Sequence, residues 1–117
     1  LQTKYIAILV KITSNILEGF FMIVHIVMFK FKDENKDSNI KEVAKRLNAL
    51  VELVPALKSM EVGVNFTLSE RAFDLSLYST FETKEDLLSY AVHPEHLKVV
   101  ELIKSVTVES KVVDYFL

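Results

Sequence analysis

The sequence predicts an α+β domain, a four-stranded antiparallel sheet with helices packed on one face in the split βαβ order. Three observations point there. The run from Met22 to Phe31 is rich in β-branched and aromatic residues on both alternating faces. An apolar stripe at helical spacing follows, from Ile40 to Val54. Two short segments around Val62 and Leu77 then alternate apolar and polar side chains on either side of a polar connection. At 117 residues the chain has room for one domain with its own core.

The first strand, MIVHIVMFKF, carries Ile23, His25, Val27, Phe29 and Phe31 on one face and Val24, Ile26, Met28 and Lys30 on the other. A strand apolar on both faces belongs in the middle of a sheet. Asp37, Ser38 and Asn39 are N-cap candidates for the next element. In it Ile40, Val43, Ala44, Leu47, Leu50, Val51 and Val54 form one stripe, and Lys41, Glu42, Lys45, Arg46, Asn48 and Glu52 form the other. Pro55 ends that helix at Val54, because the residue before a proline is pushed out of the helical region.

Met60, Val62, Val64 and Phe66 alternate with Glu61, Gly63 and Asn65, the pattern of a half-buried strand. Phe73, Leu75, Leu77, Ser79 and Phe81 continue it after the polar connection, as the second arm of an antiparallel hairpin. Thr83 caps a short helix to Val92, with Asp86 in its capping-box position. Pro94 opens a further helix with Leu97, Val99, Val100, Leu102 and Ile103 as its apolar face, and a last strand runs from Val106 or Val108 to Phe116.

Helices on one face only leave the other side of the first strand uncovered. The expectation is that Ile23, Val27, Phe29 and Phe31 lie on that uncovered side. At roughly 1.5–3 kcal/mol per buried side chain, leaving four or five of them in water would forgo roughly 10 kcal/mol gross. The cover expected is a second copy of the sheet, giving a symmetric homodimer.

Composition excludes several functions. Fourteen Lys plus Arg against sixteen Asp plus Glu, dispersed along the chain, leave no basic footprint for nucleic acid. With no Cys there is no disulfide framework, thiolate metal site or cysteine nucleophile, and two glycines cannot make a phosphate loop. Before Met22, the apolar stretch Tyr5–Val10 is cut short by Lys11 and is not followed by a small-residue cleavage site. It is also far shorter than the roughly 20 residues a spanning helix needs. A cytoplasmic protein without membrane or nucleic-acid partners is expected. Two readings of residues 1–21 stand side by side. They form an N-terminal strand or helix beside the sheet, or they are upstream sequence. In the second reading Leu17-Glu18-Gly19 is encoded by a purine-rich ribosome-binding site and Met22 is the start. The domain itself is expected over residues 22–117.

The segments HIVMFKFK, VGVNF, FDLSLYSTFET, YAVHPEHLKVV and VVDYF, in that order from Met22 to Phe116, resemble the stress-responsive dimeric α/β-barrel domain family. The most specific element is HPEH with Tyr90 three residues before it. The resemblance implies a ferredoxin-like protomer and a dimer whose two sheets form a barrel. Most members have no established activity. One branch, the plant polyketide cyclase, closes a linear polyketide by an aldol step without a cofactor. By that resemblance its essential tyrosine falls on Tyr90, its catalytic histidine on His96 and its strand histidine on His25. A further functional histidine falls at or near Leu75, which is apolar here.

The three histidines, His25, His93 and His96, carry any acid–base chemistry near neutral pH. A neutral His96 could take a proton from a carbon beside a carbonyl while Tyr90 donates to the oxyanion, with His25 in the same cavity. The other reading is structural, with His25 hydrogen-bonded in the core and His93 or His96 fastening the turn between helices. The site expected to hold a small apolar or partly polar molecule comprises His25, Val27, Phe29, Leu75, Leu77, Tyr90, His93 and His96. No metal or cofactor is expected: His93 and His96 lack a third ligand. Asp114 and Tyr115 are expected to be structural or interfacial. Three function classes stay open: a small-molecule binder, a cofactor-free enzyme of cyclase or monooxygenase type, and a protective dimer with a filled barrel.

Overall fold

The computed structural model describes residues 22–117, so both readings of residues 1–21 lie outside the described residues. The order is β1 (Ile23–Phe31), α1 (Lys36–Leu53), β2 (Ser59–Val64), β3 (Leu75–Phe81), α2 (Lys84–Val92), α3 (Pro94–Val106) and β4 (Thr107–Phe116). All pairings are antiparallel and the sheet order is β2-β3-β1-β4. The chain therefore has the α+β, ferredoxin-like architecture expected. β1 is central, with His25 opposite Ser79 on β3 and Asp114 on β4. Among the described residues no helix is long and apolar enough to cross a membrane.

The register settles which face the helices cover, and it reverses the expectation for β1. Ile23, Val27 and Phe29 lie opposite Phe81, Leu77 and Leu75. They pack with Leu47 and Leu50 of α1, Tyr90 of α2 and Val99 and Ile103 of α3 in one core. Phe31 belongs to the same core. The face without helices is Val24, Ile26, Met28 and Lys30, flanked by Ser76, Tyr78 and Thr80 on one side and Lys111, Val113 and Tyr115 on the other. Of these Val24 is buried, whereas Met28, Tyr78, Val113 and Tyr115 are exposed. β1 is apolar at both phases of its alternation, so its own period carries no sign. The sign is on β3, whose apolar phase, Leu75, Leu77 and Phe81, must meet the helices.

Three boundaries also differ, the simplest being β3, which begins at Leu75 and leaves Phe73 in the connection. α1 begins before Asp37: its cap is Asn35, which adopts the left-handed conformation (φ 53°) that asparagine tolerates better than most residues. The Asn35 carbonyl accepts from the Asn39 amide at 2.9 Å and from the Ser38 hydroxyl at 3.0 Å. β2 stops at Val64, and Phe66 stands in the following loop, 95% exposed. Elsewhere the local chemistry acts as expected. Val54 is extended ahead of Pro55, and the Thr83 hydroxyl accepts from the Asp86 amide at 3.0 Å.

Candidate functional site

Tyr90 and His96 come together because the chain breaks between them. His93 is extended (φ −64°, ψ 135°), as a residue before proline must be, and Pro94 sits in the first turn of α3. The break ends α2 just after Tyr90 and folds the first turn of α3 back onto it. The Tyr90 and His96 rings lie 4.1 Å apart, tilted by 40°. On its other side Tyr90 meets Phe81 at 5.1 Å. The Phe81 ring stands in turn edge-on to His25 at 6.4 Å.

The hydrogen bonds assign the protons. His96 Nδ1 lies 3.0 Å from the Ala91 carbonyl, which can only accept, so Nδ1 donates and Nε2 of the neutral ring holds the lone pair. Burial pulls the His96 pKa down. The Ala91 bond opposes that shift, and His25 and His93 add to it weakly by charge repulsion. Tyr90 is only 1% exposed, and burial pushes its phenol well above the ordinary value, which keeps it an O–H donor. That hydroxyl makes no hydrogen bond to another described residue, and among the described residues no buried side-chain polar atom is left without a partner. The oxygen therefore opens onto the cavity. His25 Nδ1 is paired with the Asp114 carboxylate directly across the β1–β4 ladder, and the Ser79 hydroxyl donates to the His25 carbonyl at 2.9 Å. A carboxylate acceptor places the proton of neutral His25 on Nδ1 as well.

One cavity of about 230 Å³ collects these groups. His25, Val27, Phe29 and Leu77 form its floor on the sheet. Tyr90, His96, Val100 and Ile103 wall it, Leu47 of α1 closes it, and Lys104, Thr107 and Ser110 line its far end. Six of the eight residues expected at the site thus share it: His25, Val27, Phe29, Leu77, Tyr90 and His96.

The other two lie elsewhere. Leu75 borders a separate hollow of about 450 Å³ with Met28, Gly63 and Arg71. His93 faces a third, of about 590 Å³, where Lys58 and Glu82 pair at 2.9 Å. Its ring is spent on the start of α3, Nδ1 accepting from the Glu95 amide at 3.1 Å. These hollows are larger, but neither brings a phenol and an imidazole together: in the third, the donor and acceptor facing one another, Lys58 and Glu82, are already paired. Sequence reasoning set Asp114 aside. The signal that finds it is strand register, since β4 must run antiparallel to β1 and its even-numbered residues then face the helices beside His25. Among the described residues no three His, Asp or Glu side chains are grouped to hold a metal ion.

Fold and site together define a ferredoxin-like domain with a small, mostly apolar cavity and a tyrosine–histidine pair in its wall. The model of the stress-responsive A/B barrel domain matches residues 23–117, and the chain belongs to that family. It is 41% identical over 80 residues to a stress-response A/B barrel domain-containing protein of Arabidopsis thaliana, covering 68% of this chain and 30% of that one. To a second A. thaliana protein of the same description it is 32% identical over 97 residues, covering 80% of this chain and 46% of the relative. The chain thus spans less than half the length of these two relatives. Similarity to olivetolic acid cyclase of Cannabis sativa is 29% over 93 residues, 78% of this chain and 92% of that enzyme. Among solved structures, a Bacteroides fragilis protein described as dimeric, of unknown function and ferredoxin-like fold superimposes with a TM-score of 0.75. It is 29% identical, with 82% of this chain and 96% of that one covered.

Proposed function

We propose that the chain works as a homodimer that binds a small, largely apolar carbonyl compound in the 230 Å³ cavity and moves a proton on it without a cofactor. The observation that carries this reading is the Tyr90–His96 pair. A phenol held protonated, its hydroxyl without a hydrogen bond to another described residue, has its ring 4.1 Å from that of an imidazole whose lone pair is on Nε2. His96 takes the proton from the carbon beside the carbonyl, and Tyr90 donates to the enolate oxygen as charge develops there. His25, held by Asp114, presents its Nε2 as a second polar group in the same wall. The likeness to olivetolic acid cyclase supports the class of chemistry. With leucine at position 75 and no fourth histidine, the proposal covers proton transfer at carbon and not the closure of a polyketide ring.

The dimer is supported by the open face of the sheet. Covering Ile26, Met28, Tyr78, Val113 and Tyr115 with a second copy recovers roughly 1 kcal/mol or more for each, against an association cost of several. The dimeric description of the B. fragilis relative points the same way.

The test is wash-in of solvent deuterium beside the carbonyl of an eight-carbon methyl ketone, followed by NMR, with native mass spectrometry of the same sample. A dimer that accelerates exchange, and a His96→Ala variant slower by at least about 100-fold, are expected. Exchange at the buffer rate would overturn the catalytic reading, and a monomer at micromolar concentration would overturn the assembly.

A further inference from the structure

We propose that Lys104 and Ser110 form an anion subsite at the far end of the cavity, so that the ligand is an elongated carboxylate with its carbonyl at Tyr90 and His96. The inference rests on the small-molecule reading above and names the substrate class it requires. The cavity runs along the strands. His25 and Asp114 are opposite one another at one end, and Phe29 and Ser110 are opposite one another four residues away, about 13 Å at strand rise. Between them the lining is apolar: Val27, Leu47, Leu77, Val100 and Ile103.

The two ends differ in charge. At the near end a carboxylate is already in place, Asp114 on His25, and it repels a second anion. At the far end Lys104 has no carboxylate partner among the described residues, although Glu101 lies one helical turn before it. Glu109, the nearest acid on β4, is held by Lys111 at 3.2 Å on the opposite face of the sheet. The Ser110 hydroxyl likewise has no partner among the described residues, whereas Thr107 already donates its proton to the Ile103 carbonyl at 2.7 Å. One ammonium and one hydroxyl suit a carboxylate, which takes two donors. A phosphate would leave most of its oxygens without a partner. Lys104 is exposed and flexible, so it reaches the mouth of the cavity without being buried.

The experiment uses two probes on the full chain, a ten-carbon acid bearing a methyl ketone at the end remote from the carboxylate, and its methyl ester. Calorimetry at low salt is expected to show the acid binding about tenfold more tightly than the ester, with the preference shrinking as salt rises. Lys104→Met should erase the preference by bringing the acid down to the affinity of the ester, with a cooperative melt confirming that the variant is folded, and Lys104→Glu should reverse it. Equal affinity of the wild type for acid and ester, or a preference that survives Lys104→Met, overturns the subsite. The ester then still binds and still exchanges its ketone protons, which leaves the Tyr90–His96 reading intact. If neither probe binds, the small-molecule reading fails and the subsite fails with it.

Discussion

Replacing Tyr90 by Phe removes one oxygen and keeps the ring. The ring contacts that fix it, Phe81 at 5.1 Å and His96 at 4.1 Å, survive the change. The hydroxyl gives up no hydrogen bond to another described residue, so the usual cost of about 0.5–1.5 kcal/mol for deleting a bonded group does not arise. Stability should therefore change by no more than about 0.5 kcal/mol, a shift of about 2–4 °C in melting temperature for a domain near this size. Tyr90→Ala is the contrast: it empties a site only 1% exposed and should cost about 3–5 kcal/mol. In the proposed transition state the same oxygen faces a forming oxyanion, where losing one donor costs about 2.7–4 kcal/mol, or roughly 100- to 1,000-fold in rate. The assay pairs thermal unfolding by circular dichroism with deuterium wash-in on the eight-carbon ketone. A Phe variant as stable as the wild type with exchange lowered by that factor is expected. A loss of more than about 2 kcal/mol in stability would make the hydroxyl structural, and unchanged exchange would make Tyr90 a packing residue only; either result refutes the reasoning.

Because burial lowers the His96 pKa, the unfolded chain binds a proton in a range where the folded chain does not. Stability thus falls as pH drops from about 6.5 through the lower folded value, and exchange falls with it as the base is protonated. Urea titrations between pH 5 and 7 should show this slope, and His96→Asn should flatten it. His93→Ala removes a cap from α3, so it should cost about 0.5–2 kcal/mol in a denaturant melt and leave ketone exchange untouched, the opposite of His96→Ala. Asp114→Ala should cost at most about 1 kcal/mol, since the carboxylate is half exposed, while releasing the His25 tautomer. Nitrogen chemical shifts of the His25 ring should then move from a fixed Nδ1–H form toward a mixture, and exchange should slow several-fold.

Much of this was readable from residue types because the relevant forces are local. The α1 stripe, the Thr83 cap and the break before Pro94 each depend on side chains within a few positions of one another, and each stands where the pattern puts it. What went unread depends on partners distant in sequence. Phe66 fits an alternating pattern, yet the ladder with β3 ends at Val64 and Leu75, and the one bond beyond it, from the Asn65 amide to the Asp74 carbonyl at 2.9 Å, leaves Phe66 outside. The face of β1 is likewise decided by β3. Asp114 is 89 positions from His25 and becomes its partner only through register. Lys104 reads as an ordinary solvated helix charge until the cavity shows what lies beneath it.

The two histidines of HPEH show how far spacing alone can mislead. They share a side chain and lie three positions apart around one proline. The partner at Nδ1 separates them. For His93 it is an amide N–H, which donates, so the ring must accept there and serves as a helix cap. For His96 it is a carbonyl, which accepts, so the ring must donate there and its lone pair is turned to Nε2. One bond fastens the turn and the other orients a base beside Tyr90. Both follow from Pro94, which starts α3 at a point where one imidazole caps the new helix and the next reaches back to the end of the old one.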